Sequence, residues 1–191
     1  MIRIVGVDPG YRNLALATLD IDVKTKKLVA VQCKHVDVGS CADQTDIIYK
    51  VWHCVHAKEF FKNAQYVEIE NQVMGRKNST PSNVGLSWLI ASHAYTQNPF
   101  TVVNFSDSKD KFKTFGVPVP FKRGTPKHTR HLFIKNSSIQ LAVRLLKQYG
   151  VEPSTVFQNG EKSTWEHIAD ALGLAFTRAL LAGLLLVPPP P

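Results

Sequence analysis

The sequence predicts an α/β domain: a five-stranded mixed sheet flanked by helices. Three observations carry that prediction. Residues 2–7 form a nearly continuous apolar, β-branched run, the pattern of a strand buried on both faces. Two further strand-like segments follow with only turn residues between them, which makes an antiparallel meander. After them, helical and strand patterns alternate, so the later strands add in parallel.

Taken in order, Asp8-Pro9-Gly10 turns the chain after the first strand. Residues 13–19 alternate as a second strand, residues 20–27 are a polar hairpin connection, and residues 28–36 form a third strand. Asp43 or Thr45 caps a helix in which Ile47, Ile48, Val51, Val55 and Phe60 recur at helical spacing to about residue 62. Residues 66–70 are a short strand and residues 74–82 a polar loop. Ser82 then caps a helix to about residue 95, with Leu86, Leu89 and Ile90 inward. Residues 101–105 form the fifth strand. Ser137 or Ser138 caps a helix that Gly150 ends, and a last helix runs from about Trp165 into an apolar segment, 171–187. Residues 106–136 show no clear pattern and read as a basic loop insertion within a single domain, 1–191. Pro188 to Pro191 cannot continue a helix and predict a short polyproline tail.

Composition narrows the function classes. Hydrophobic residues make up 44% of the 191, which supplies a core and excludes wholesale disorder. Lys and Arg number 23 against 15 Asp and Glu, a net charge of +8. That excess favours a polyanionic partner, nucleic acid before an acidic membrane surface. Cys33, Cys41 and Cys54 cannot all pair and contain no Cys-x-x-Cys, which predicts a reducing, intracellular, cytoplasmic setting. The first residues lack the features of a secretion signal. The apolar segment 171–187 is short for a membrane span and carries Thr177 and Arg178 at its middle, so it reads as a core or dimer-interface helix. No Gly-rich loop opens a helix after a strand, which predicts no nucleotide cofactor. His53, Cys54 and His56 with Cys41 match no standard zinc spacing and read as packing positions.

The chemistry concentrates in three places. Asp8 stands where the first strand leaves the core, rigidly held by its scaffold. Glu68 and Glu70, at i and i+2 on the fourth strand, point to one face. That strand lies within an α/β pattern and is covered on both sides, so a carboxylate there must be paired or metal-bound. His167 and Asp170, at i and i+3, share a helical face at the start of the apolar segment. Each is an ordinary turn, edge or first-turn residue by itself. Together they offer hard oxygen ligands and one imidazole, a set suited to Mg²⁺ or Mn²⁺. Two such ions about 3.5–4 Å apart can clamp a phosphodiester.

Three motifs in this order resemble a known family. Ile4-Val5-Gly6-Val7-Asp8-Pro9-Gly10 resembles the opening strand of the RuvC-family Holliday junction resolvases. Val67-Glu68-Ile69-Glu70-Asn71-Gln72-Val73-Met74, with Lys77-Asn78, resembles their second motif, and His167-Ile168-Ala169-Asp170-Ala171-Leu172-Gly173-Leu174-Ala175 their last. The resemblance covers nearly the whole chain and implies an RNase H-like fold. It implies Asp8, Glu70, His167 and Asp170 as catalytic and metal-binding residues, choosing Glu70 over Glu68, with two Mg²⁺ per site. It also implies a homodimer on four-way junction DNA, making symmetric nicks that leave 5′-phosphate and 3′-hydroxyl ends. The dimer surface it suggests combines the helix from Ser82 with part of the terminal helix. Bacterial members carry an aromatic just after the second motif, where this chain has Val73 and Met74. That departure, with the longer basic insertion, resembles a viral or phage branch.

The insertion carries Lys109, Lys111, Lys113, Lys122, Arg123, Lys127 and Arg130, with Lys135 just before the next helix. Phe112, Phe115, Phe121, His128, His131 and Phe133 are interleaved, and the only acids are Asp107 and Asp110. Such a segment can track phosphates and stack on unpaired bases. Arg76 and Lys77 follow the second motif and belong at the mouth of the site. Two other functions fit the same residues: an RNase H-like nuclease acting on RNA–DNA hybrids or flaps, and a non-catalytic junction-binding protein.

Overall fold

A computed structural model describes the chain except residues 11–12, 38–42, 57–58, 72–80, 108, 119–120, 122–124, 158–163 and 187–191. The five strands are β1 (Ile2–Pro9), β2 (Asn13–Asp22), β3 (Lys27–Asp37), β4 (Ala64–Glu70) and β5 (Val102–Ser106). They form one sheet in the order β3-β2-β1-β4-β5. The first three pair antiparallel, whereas β4 adds parallel to β1 and β5 parallel to β4. This is the five-stranded mixed sheet that the sequence predicts.

Helices cover both faces, and strand alternation decides which residues meet them. Val5, Val7, Val67 and Ile69 pack beneath α1 (Gln44–His56) and α2 (Pro81–Gln97). The opposite face carries Ile4, Gly6 and Asp8 of β1 and lies under α6 (Trp165–Leu181), which is backed by α4 (Lys127–Gln148). Asp43 caps α1 as expected, its Oδ1 accepting the Asp46 N–H at 2.9 Å. Gly150, at φ +76°, ends α4.

Helix α6 is buried along ten of its residues, so the apolar segment is core. Its two polar interruptions are satisfied. Thr177 Oγ1 donates to Gly173 O at 2.7 Å, and Arg178 Nε donates to Glu68 at 2.7 Å. Among the described residues no helix is long and apolar enough to cross a membrane. The faces of α6 meet the sheet and α4, and Leu181 at its end is the residue left exposed.

Two expectations are corrected. Residues 106–136 are not one long loop: they contain α3 (Asp110–Thr114) and the first ten residues of α4. Ser137 and Ser138 therefore lie inside a helix and do not cap it. The extension is polar and mostly exposed, so it lacks the apolar period by which a helix is recognised. Thr125-Pro126 carries the missed signal, since Pro favours a helix start. A short helix, α5 (Pro153–Phe157), also went unread. Cys33 and Cys54 are free thiols, whereas Cys41 and the proline tail fall outside the described residues.

Among the described glycines, Gly6 has the closest neighbour to where a Cβ would stand. A Cβ there would lie 2.0 Å from the Ala171 carbonyl oxygen and 2.8 Å from the Ala175 nitrogen. Both partners are helix backbone and cannot swing aside. Gly6→Ala is expected to destabilise the protein by about 3 kcal/mol or more, read as a lower midpoint in urea unfolding.

Candidate active site

The C-terminal end of β1 sits at the centre of the sheet, and every candidate residue is placed by its relation to that end. Asp8 pairs in register with Ala15 of β2, which pairs in turn with His35 of β3. On the other side Val7 pairs with Ile69, which puts Glu70 one step further along beside Asp8. Helix α6 begins over this end of the sheet, bringing His167 and Asp170 down onto it.

The structure brings Asp8, Glu70, His167 and Asp170 together. His167 Nδ1 lies 2.8 Å from Asp8 Oδ2. Glu70 shares a hydrogen bond with Asp8 and feels the charges of Asp8 and Asp170. These contacts span nearly the whole chain, since Asp8 and His167 are 159 residues apart.

Electrostatics reports the crowding. Burial, then the charges of Asp8 and Asp170, hold the Glu70 carboxyl well above its ordinary pKa, and Lys111 works against them. Burial opposes a charged His167, but the hydrogen bond and charge of Asp8, followed by Glu166 and Asp170, outweigh it and raise the imidazole. His167 stacks on His35, with ring centroids 5.9 Å apart. His35 Nε2 is fixed at 3.1 Å from Asn13 Oδ1. Burial and the neighbouring His167 lower the His35 pKa. Asp8 therefore meets an imidazole that is braced from behind.

Lys111 is the residue that sequence reasoning misplaced. It was expected on a phosphate-tracking loop, yet it is 1% exposed and its ammonium reaches Asp170. Its aliphatic stem crosses α6 over Gly173, where a Cβ would come within 2.8 Å of the Lys111 Cδ. Asp170 and Gly173 are one turn apart on one face, so the glycine makes the path and the aspartate ends it. A lysine one residue before a buried phenylalanine in a polar segment gave no sequence signal of this.

Glu68, left open between pairing and metal binding, is paired. It is 0% exposed, accepts a hydrogen bond from Ser106 and pairs with Arg178. That removes it from the group at the strand end and supports the choice of Glu70.

The other basic candidates are spread around the site. Lys109, Lys113, Lys127 and Arg130 are exposed on α3, its approach and the start of α4. Lys135 lies inside α4 rather than before it, and its Nζ donates to Glu166 at 2.7 Å. Arg76, Lys77, Lys122 and Arg123, with Val73 and Met74, lie outside the described residues. His53 and His56 are exposed on α1 and make edge-on ring contacts with Tyr49 and Trp52.

Three carboxylates and an imidazole gathered at one strand end, with the Glu70 carboxyl raised by burial and by its acidic neighbours, offer donors of the kind a hard divalent cation takes. Among the described residues, however, no three acidic, His or Cys side chains already stand as a coordination set. Lys111 engages Asp170, so ligation by that carboxylate requires the ammonium to shift.

No family model matches this chain, and the search of curated proteins finds no similar sequence. Solved structures do match. Thermus thermophilus RuvC in complex with a Holliday junction substrate is similar at a TM-score of 0.63 and 15% identity, over 96% of both chains. The fowlpox virus Holliday junction resolvase is similar at 0.60 and 17%, over 95% of this chain and 99% of that one. The yeast mitochondrial Holliday junction resolvase Ydc2 is similar at 0.55 and 12%, over 95% and 82%.

The raised Glu70 pKa has a consequence for stability. A carboxyl raised on folding contributes stability that is full below its unfolded pKa of about 4.3 and is lost as pH rises through the folded value. In a metal chelator, Glu70→Gln is expected to be more stable than the parent at pH 8 and no more stable at pH 4. Thermal unfolding at the two pH values checks this. The chain has the RNase H-like fold of the Holliday junction resolvases.

Proposed function

We propose that this protein is a metal-dependent endonuclease that resolves four-way DNA junctions by paired symmetric nicks. One observation carries the reading: three carboxylates and an imidazole, distant in sequence, converge beside a cationic helical segment. The fold shared with three Holliday junction resolvases supports it.

In this reading Asp8, Glu70 and Asp170 hold the cations through carboxylate oxygens, and His167 adds an imidazole nitrogen. Bound there, two Mg²⁺ or Mn²⁺ ions would lower the pKa of water and neutralise charge on the phosphodiester. His167 donates from Nδ1 to Asp8 when that nitrogen carries the proton, and Nε2, 3.5 Å from Glu166 Oε1, is then the atom that can ligate or accept a proton. Asp8 thus fixes the orientation of the ring, as His35 does from its other side. Lys111 balances the charge of Asp170 until a cation takes that place. The exposed Lys109, Lys113, Lys127 and Arg130 meet the phosphate backbone, and Arg76, Lys77, Lys122, Arg123 and Lys135 are further candidates for DNA binding.

A homodimer suits a nearly two-fold substrate. Its surface is formed by α2 and the β5 edge, where Trp88 is 62% exposed and packs against the exposed Phe105 at 5.3 Å. The single domain 1–191 carries its basic segment, about 106–136, on the active-site side. Unpaired cysteines suit a reducing intracellular compartment.

Side-by-side incubation of a labelled four-way junction, an RNA–DNA hybrid and a flap with Mg²⁺ tests the proposal. The junction is expected to be cut, and Asp8→Asn to lower the rate by at least about 10²-fold, beyond what losing an outer partner costs, while junction binding persists. Preferential cutting of the hybrid or flap, or no cutting by the parent protein, overturns it. If six to ten phosphates are engaged, junction affinity falls by about 10³–10⁵ between 50 and 200 mM salt. Anisotropy titrations measure this, and a flat profile removes the basic segment from the interface.

A further inference from the structure

Beside the active site, α3 and the first turns of α4 enclose a cavity of about 470 Å³. Its walls are Phe112, Phe121 and Ile134, and its rim is Lys109, Lys127, Arg130 and His131. None of these described lining residues is acidic. The nearby Asp110 turns its carboxylate back to the Asp107 N–H at 3.1 Å. Phe121 is held in place by an edge-on contact with Phe133, centroids 5.3 Å apart. Phe112 follows Lys111, whose ammonium reaches Asp170, so adjacent residues of α3 touch the cavity and the carboxylate group.

The chemistry of the cavity selects its occupant. A cationic rim alone would serve any phosphate. An aromatic wall set behind that rim is useless to paired DNA, because duplex bases keep their faces in the stack. An unpaired nucleotide offers both parts at once: a base face for the aromatic wall and a phosphate for the cations. The volume falls in the range of sites that enclose one small ligand unit.

We infer that this cavity receives an unpaired nucleotide of the DNA, its base against Phe121 and its phosphate on Arg130 and Lys127. This rests on the junction-nuclease reading and adds to it a subsite that favours unpaired bases over continuous duplex. A free nucleoside monophosphate shares the same chemistry. The strand is the better source, because Lys111, which reaches Asp170, directly precedes Phe112 of the cavity wall.

The test uses the full chain in a chelator, with a duplex carrying a single bulged thymine and the same duplex fully paired. The parent protein is expected to bind the bulged duplex about tenfold more tightly, the scale of one base–aromatic stack. Phe121→Ala is expected to abolish that preference, and Phe121→Tyr to keep it. A 5-iodouracil at the bulge is expected to photo-crosslink to Phe121 or His131, a readout that needs no variant to fold. Equal binding of both duplexes, a preference that survives in Phe121→Ala, or a crosslink elsewhere overturns the inference. So does displacement of the bulged DNA by micromolar dTMP, which would make the cavity a site for free nucleotides. The junction-cutting assay stands apart: a protein that cuts junctions without a bulge preference keeps the nuclease reading and loses only this subsite.

Discussion

Everything at the candidate site depends on how closely α6 lies on β1. The helix backbone comes within reach of where a Gly6 side chain would be, and no other residue type allows that approach. The last helix brings the imidazole and one carboxylate, while the first and fourth strands bring the others. Their convergence is set by this one helix-to-strand distance. Apolar packing holds the two surfaces together along most of α6, and hydrophobic burial is indifferent to small shifts. The glycine contact is what makes the placement specific.

Charge is arranged around that contact in two ways. Glu68 lies below the strand end and is neutralised by Arg178, with Ser106 taking its second oxygen. A buried ion pair of this kind adds little net stability, but breaking it leaves a bare charge in the core. At Glu70, two residues on, burial and then the charges of Asp8 and Asp170 push the carboxyl up against the pull of Lys111. The same face of the same strand therefore carries one silent carboxylate and one poised one. Neighbours decide the difference, and the residue type does not.

Much of this was legible from sequence. The β-branched run of β1, the alternation of β2 and β3 and the later strand–helix order are strong local patterns, and they give the sheet. Asp8, His167 and Asp170 stand out because each is polar at the edge of an apolar run, whereas the same pattern offers Glu68 and Glu70 alike and only the family resemblance chooses Glu70. The polar start of α4 was missed because an exposed helix carries no apolar stripe. Lys111 was missed because its burial depends on Gly173, more than sixty positions away, and a lysine among lysines reads as surface. The partner of Glu68 was hidden for the same reason: Arg178 looked like an interruption in an apolar helix until the sheet placed it opposite a carboxylate.

The short helix α3 faces two ways at once. Lys111 is latched to Asp170 through the groove at Gly173, while its neighbours Lys109 and Phe112 border the open cavity. Because one side chain spans that distance, the position of α3 and the charge around Asp170 are tied together.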